Sequence, residues 1–313
     1  MKFFELIPSG TNIDFIGKFK IFVLLSIITV GISLAGLFTT GLNYGIDFTG
    51  GTVLQVKFPQ KTSAEEARRI VADFGVPEAT VVAVGDSGFE YMITSRTDTN
   101  VKGKSVLHQK FEEKFGKQVI LSADIVGPKV GKELKWSAGQ ALFYSVVLIM
   151  IYIWFRFDFR FAPGATIAMI HDIILATGYY VFTQNEFTIT GSAALLTIAG
   201  YSVNDTIVIY DRVRELLKQS GDAIPLSQTI NRAINLTLSR TLLTSLITFI
   251  SIIPIVIFCT GEIHDFAEAM MVGIFVGSYS TIYIAAPMTI YIEKFLNRNR
   301  ASVPGGRPAP VVR

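Results

Sequence analysis

The run FTITGSAALLTIAGYSVNDTIVIYDRVR, residues 187–214, decides how the rest of the chain is read. It is apolar and long enough to cross a bilayer as one helix, for which roughly 20 mainly apolar residues suffice. Between Glu186 and Asp211 it carries one formal charge, Asp205. A carboxylate at membrane depth costs roughly 2.5–3.5 kcal/mol on insertion scales, which makes it a functional candidate by default. Asp205 precedes Arg212 by about 10 Å at the helical rise of ~1.5 Å per residue. That depth is dry, yet shallow enough to exchange a proton with water. The stretch reads as part of a proton path in an energy-coupling membrane protein.

Composition supports this outward from the run. The chain has 313 residues, 50% hydrophobic and 17% charged, with mean hydropathy +0.47. Soluble domains carry about 25% charged residues, so a multi-spanning membrane protein is expected. The single Cys259 lies in an apolar run, which excludes a disulfide framework and a cysteine metal site. Three scattered histidines suggest no zinc cluster. No metal or cofactor is expected, and nucleic acid is not an expected partner. The first apolar run is followed by no small-residue cleavage pattern and reads as a retained span rather than a removed signal peptide.

Residues 1–17 form an amphipathic segment at the membrane surface. The first span covers 18–40, its apolar part 19–39, with Gly31 and Gly36 offering close approach to a neighbouring helix. Residues 44–130 change character. Alternation marks a strand at 52–58. Ser63 with Glu66 is a capping box opening a helix over 63–74. Strands at 79–84 and 89–94 flank a Gly-Asp-Ser-Gly turn. A helix at 106–115 and a strand at 119–126 complete a β-α-β-β-α-β, ferredoxin-like order. The fold class is therefore a six-helix integral membrane protein with one small α+β domain outside. Gly50-Gly51 lacks the Lys-Ser/Thr of a phosphate loop, and reads as a tight turn into the first strand.

A five-helix bundle over 137–292 follows, with apolar runs at 137–155, 161–182, 188–210, 239–259 and 266–290. Arg156 and Arg160, then Arg212, Arg214, Lys218 and Arg232, then Lys294, Arg298, Arg300 and Arg307 all fall on one side. The opposite loops, 183–187 and 260–265, hold no Lys or Arg. The positive-inside rule puts both termini in the cytoplasm and 44–130 outside. Pro254 and Pro287 mark kinks, Gly273 and Gly277 a helix contact, and the Pro- and Gly-rich tail within 293–313 reads as disordered.

Arg240 is the natural partner of Asp205: adjacent antiparallel spans place both at similar depth on the cytoplasmic side. The bland alternative is a guanidinium that snorkels to the interface. Desolvation and an opposed guanidinium act in opposite senses on a carboxyl, so joining and parting the pair would release and take up a proton. His171 and Asp172, in span three, are secondary proton-path or packing candidates. Adjacent helix positions point about 100° apart, so no bond between them is expected. Asn204, Tyr201 and Thr206 are positioned to orient Asp205. Glu268 reads as interfacial, and Glu262, His264 and Asp265 as a wet external loop.

Several stretches resemble the SecF family: GIDFTGGT (45–52), VGPKVGKEL (126–134), AMIHDIILATG (168–178), AGYSVNDTIVIYDRVRE (199–215), SRTLLTSL (239–246) and GSYSTIYIAAP (277–287). The resemblance implies a non-enzymatic subunit of the bacterial inner membrane, with six spans and one periplasmic domain. It implies a heterodimer with SecD, whose six spans complete a pseudo-symmetric bundle similar to resistance-nodulation-division exporters. It also implies association with the SecYEG channel and the accessory YajC. There the proton-motive force draws a preprotein outward after the SecA motor has pushed it. The family's proton-path Asp falls on Asp205 and its essential Arg on Arg240. Two other readings stand beside it. One is a small-molecule or lipid exporter of the resistance-nodulation-division type. The other is an intramembrane aspartyl protease using Asp172 and Asp205, whose Gly-x-Gly-Asp signature is absent.

Overall fold

The computed structural model describes residues 7–8, 11–85, 87–96, 105–157, 160–220 and 224–301. Helix α1 (Phe15–Thr39) opens on Asp14, whose side chain accepts the backbone N–H of Gly17 at 2.7 Å. Of the expected amphipathic segment 1–17, residues 1–6 and 9–10 lie outside the described residues. Residues 11–14 form an irregular strap whose Ile13 is held by Asn231 and Asn235.

A short helix α2 (Ile46–Thr49) leads into strand β1 (Gly51–Lys57) through Gly50-Gly51. Both glycines are obligatory there. Gly50 has φ +79° and its missing Cβ would lie 2.8 Å from Pro128 Cα; at Gly51 (φ +148°) it would lie 2.4 Å from Ser95 O. Helix α3 (Ala64–Asp73) is capped by Ser63, which accepts the Glu66 N–H at 3.2 Å. Strands β2 (Thr80–Ala83) and β3 (Glu90–Ser95), helix α4 (Val106–Phe115) and strand β4 (Ile120–Val126) follow. The sheet order is β2-β3-β1-β4, every neighbouring pair antiparallel, which is the ferredoxin-like arrangement. Both helices cover one face, burying Leu54, Val56, Tyr91, Ile93, Leu107 and Phe111. Asp86, in the expected hairpin turn, lies outside the described residues.

Among the described residues, six helices are long and apolar enough to cross a membrane. After α1 they are α5 (Pro128–Arg156), α6 (Ala162–Thr183), α7 (Ile189–Ser220), α8 (Leu226–Phe258) and a composite sixth. The sixth joins α9 (Glu262–Ser280), a π-helical segment at Thr281–Ala285, and α10 (Ala286–Ala301). Helices α5 and α8 begin well before the apolar runs expected at 137 and 239. Hydropathy marks the lipid-facing length, whereas the backbone ladder continues wherever a helix has packing; Ile230, Ile234 and Leu238 are buried before the apolar run of α8 begins. Glu262, His264 and Asp265 belong to the first turn of α9, not to a loop. Helix α10 continues past the expected tail boundary at 293; residues 302–313 lie outside the described set.

Helices α6 and α7 and the sixth span are half buried or more and form the centre of the bundle, while α1, α5 and α8 flank it. Small residues allow the close approach. A Cβ on Gly273 would meet Ile198 at 2.3 Å, and one on Gly277 would meet Ser202 at 3.1 Å. Gly36 packs against Val181 and Phe182, but Gly31 faces open space and makes no helix contact. Pro254 is absorbed within continuous α8. Pro287 follows the π segment after one intervening residue, and the segment's wider turn relieves the carbonyl clash that proline makes with the preceding turn.

Candidate functional site

Helix α7 carries Asp205 on its packed face, 4% exposed. Its Oδ2 is buried and has no hydrogen-bond partner among the described residues. Its neighbour across the interface is α8. Tyr201 Oη donates to Thr248 Oγ1 at 3.3 Å. Moving four residues on in α7 and four back in α8 therefore brings Asp205 to the turn containing Thr241 and Thr244. Thr241 Oγ1 is itself buried and without a partner. Arg240 is the charged group whose field falls on the Asp205 carboxyl. Its side chain is nevertheless exposed, and the two make no direct ion pair.

Asn204 is exposed, on a different face of α7 from Asp205, and does not orient it. Tyr201 and Thr206 spend their hydroxyls elsewhere. Thr206 Oγ1 lies 3.1 Å from Thr281 Oγ1 and 3.3 Å from Ser202 O.

A second polar centre lies one turn away. Asp172 on α6 is fully buried. Its Oδ2 accepts from Ser202 Oγ of α7 and from Ser280 Oγ of α9, the latter at 2.7 Å. Its Oδ1 lies 2.8 Å from His171 Nδ1. The expectation that His171 and Asp172 do not meet is therefore corrected: their ring and carboxyl are long enough to close the angle between adjacent helical positions. Ser202 and Ser280 were not singled out in the sequence. The signal available was a serine facing inward on each of two apolar spans, legible only once the register between helices is known. No hydrogen bond joins Asp172 to Asp205, so the pair does not share a proton as an aspartyl protease requires.

At the opposite end of α9, Glu268 accepts from Tyr179 Oη and from Asn185 Nδ2, the latter at 3.1 Å. His264 lies 3.6 Å from both Asp265 and Glu268. The ligating atoms of these three fall within 4.8 Å of one another, so this histidine is less isolated than its sequence position suggests. In the loop between α6 and α7, burial holds the Glu186 carboxyl above its ordinary range, Arg96 pulls it down, and Asp265, Glu262 and Asp47 push it up. This end also seats the sheet domain: Arg96 donates to Asn43 at 2.5 Å, and Tyr44 bridges to Phe187.

Six apolar helices among the described residues, packed around buried acids and joined to one α+β unit, define a multi-pass membrane protein. Residues 106–295 match the family described as protein export membrane protein SecD/SecF, C-terminal, and residues 35–60 match the SecD/SecF GG motif. Protein translocase subunit SecF of Calditerrivibrio nitroreducens is 38% identical over 309 residues, which cover 95% of this chain and 99% of that one. Protein translocase subunit SecDF of Brucella abortus is 36% identical over 291 residues, 91% of this chain but 38% of its own length. The crystal structure of SecDF from Thermus thermophilus, described as a translocon-associated membrane protein, superposes with a TM-score of 0.79 at 33% identity. It covers 92% of this chain, which spans 40% of that one. The chain belongs to the SecF family of protein translocase subunits and is a multi-pass inner-membrane protein.

Proposed function

We propose that this chain works as the SecF-type half of a SecD–SecF pair that uses the proton-motive force to assist Sec-dependent protein export. Support for the SecD partner comes from relatives in which both halves are one chain: the present sequence aligns with 38% of such a protein from Brucella abortus. The SecYEG channel, YajC, the SecA motor and the translocating preprotein follow from the family resemblance. Both termini lie in the cytoplasm and 44–130 in the periplasm, on the charge asymmetry of the loops.

The observation that carries the proton reading is Asp205: a buried carboxyl with an orphaned oxygen, within the field of Arg240 yet not paired with it. On this reading, an unpaired buried acid beside an exposed guanidinium on the adjacent helix corresponds to a parted state of the pair. Helix movement that brings them together favours release of the proton, and parting favours uptake. Arg suits the fixed role because it keeps its charge throughout. A charge that crosses the membrane potential gains roughly 2.3 kcal/mol per 100 mV, enough to bias such a movement.

The experiment is Asp205→Asn, with proton-dependent export of a secreted protein measured in membrane vesicles containing the SecD partner. Loss of the proton-dependent component is expected. Undiminished export at full gradient would overturn the coupling role.

A further inference from the structure

We infer that His171 Nε2 is a second proton-accepting atom of the bundle, with Asp172 as the residue that positions it. This rests on the proton-coupling reading of Asp205 and adds a site to it.

The geometry begins at Asp172. Two hydroxyls from two different helices give their hydrogens to Oδ2, which fixes the carboxyl plane. That leaves Oδ1 to meet His171 Nδ1 at 2.8 Å, and the bond fixes the imidazole ring. With the shared proton on Nδ1, the other ring nitrogen presents a lone pair. Nε2 is buried and has no hydrogen-bond partner among the described residues, on a residue only 6% exposed. A buried acceptor left without a donor is costly to fold. A histidine serving only to hold helices together would gain from bonding both nitrogens; this one bonds one.

The surroundings leave the atom open to a proton rather than to a competing donor. Phe22 and Ser26 of α1, neither of them charged, engage Tyr279 on this side of the bundle. From α9, the Tyr279 ring lies 6.4 Å from the imidazole, but its hydroxyl is taken up by Phe22 O at 2.5 Å and Ser26 Oγ at 2.8 Å. From α7 comes Ser202, with Asp205 three residues further on. Asp172 and the Tyr279 ring are the titratable groups seen against the imidazole, Asp205 lying three residues beyond Ser202 on α7 and Tyr283 packing on the far side of Tyr279. A proton arriving at Nε2 makes an imidazolium whose Nδ1–H already points at Asp172. The new charge is matched by a hydrogen-bonded partner in a dry site, the orienting role that an aspartate plays for a catalytic histidine. The proton leaves from the same nitrogen, so no other bond is made or broken.

The same knot touches the moving parts. Ser202 lies on the helix of Asp205, and Ser280 immediately precedes the π-helical segment. Charging the ring tightens the Oδ1 side of a carboxylate that joins α6, α7 and α9.

The test uses the full chain with its SecD partner in vesicles, with export rate followed from roughly pH 5 to 8, the window in which histidine alone among ordinary side chains changes charge. His171→Gln keeps a polar side chain that cannot take up a proton. It is expected to remove one limb of the pH profile. Asp172→Asn keeps the site's shape but removes the carboxylate that holds the Nδ1 proton, and is expected to disturb the same limb that His171→Gln removes. A His171→Gln profile that superimposes on the parent overturns the inference. Imidazole NMR of the full chain in nanodiscs is independent of export: a resonance missing in His171→Gln must titrate within the window, and a flat response overturns the inference as well. If Asp205→Asn leaves proton-driven export intact, the coupling reading fails by itself, while the NMR titration still decides the protonation of His171.

Discussion

Asp205 and Arg240 sit on adjacent antiparallel helices without joining in an ion pair: the carboxyl is 4% exposed and the guanidinium lies on an exposed face. Breaking a buried pair by removing one partner usually destabilises, because the other charge is left uncompensated. Here no pair exists to break. Arg240→Ala is therefore expected to shift stability by no more than about 0.5 kcal/mol, the range of surface substitutions, while proton-driven export is lost. Asp205→Asn removes a buried acid with an orphaned oxygen and is expected not to lower the melting temperature. Thermal melts in detergent beside vesicle export check both; a large drop in melting temperature for either variant would mean the residues hold the fold rather than the proton.

The contact between α7 and α9 depends on Gly273. A Cβ there would sit 2.3 Å from Ile198 Cγ1, whereas one on Gly31 meets nothing within 4 Å. Gly273→Val is expected to destabilise by about 1–3 kcal/mol through overpacking, and Gly31→Ala to be neutral. Equal melting temperatures for the two variants would refute the packing reading.

Ser202 and Ser280 both serve Asp172 Oδ2. Each serine-to-alanine change leaves that oxygen one donor, at an expected loss of about 0.5–2 kcal/mol. The double change leaves it none, so its effect should exceed the sum. Simple additivity in denaturation measurements would show that the two hydroxyls do not act on one atom.

Glu186 lies in the loop between α6 and α7, where burial raises its proton affinity above the ordinary carboxyl and Arg96 only partly opposes it. The folded chain then holds this proton at pH values where the unfolded chain, near its usual value of about 4.3, has lost it. The stabilisation is complete below that value and declines as pH rises through the raised folded range. Glu186→Gln is expected to flatten the decline in melting temperature from mildly acidic to neutral pH. Identical slopes for parent and variant would show that the loop does not bury this carboxyl in solution.

Much was legible in one dimension. The long apolar run holding Asp205, the capping box at Ser63, the β-α-β-β-α-β alternation and the Gly-Gly turn all follow from rules in which neighbouring residues decide the outcome: hydropathy over a helix length, a side chain reaching its own third N–H, a backbone conformation that only glycine adopts. The sequence therefore determined six spans, the ferredoxin-like unit and a short set of ionisable groups at membrane depth. Tertiary structure decided which of those groups meet. Whether His171 reaches Asp172, whether Asn204 faces Asp205, whether Gly31 or Gly36 receives a neighbour, and which serines close on Asp172 all depend on helix rotation and register. Those are set by close packing summed over whole interfaces, such as Gly273 against Ile198, and no local pattern encodes them.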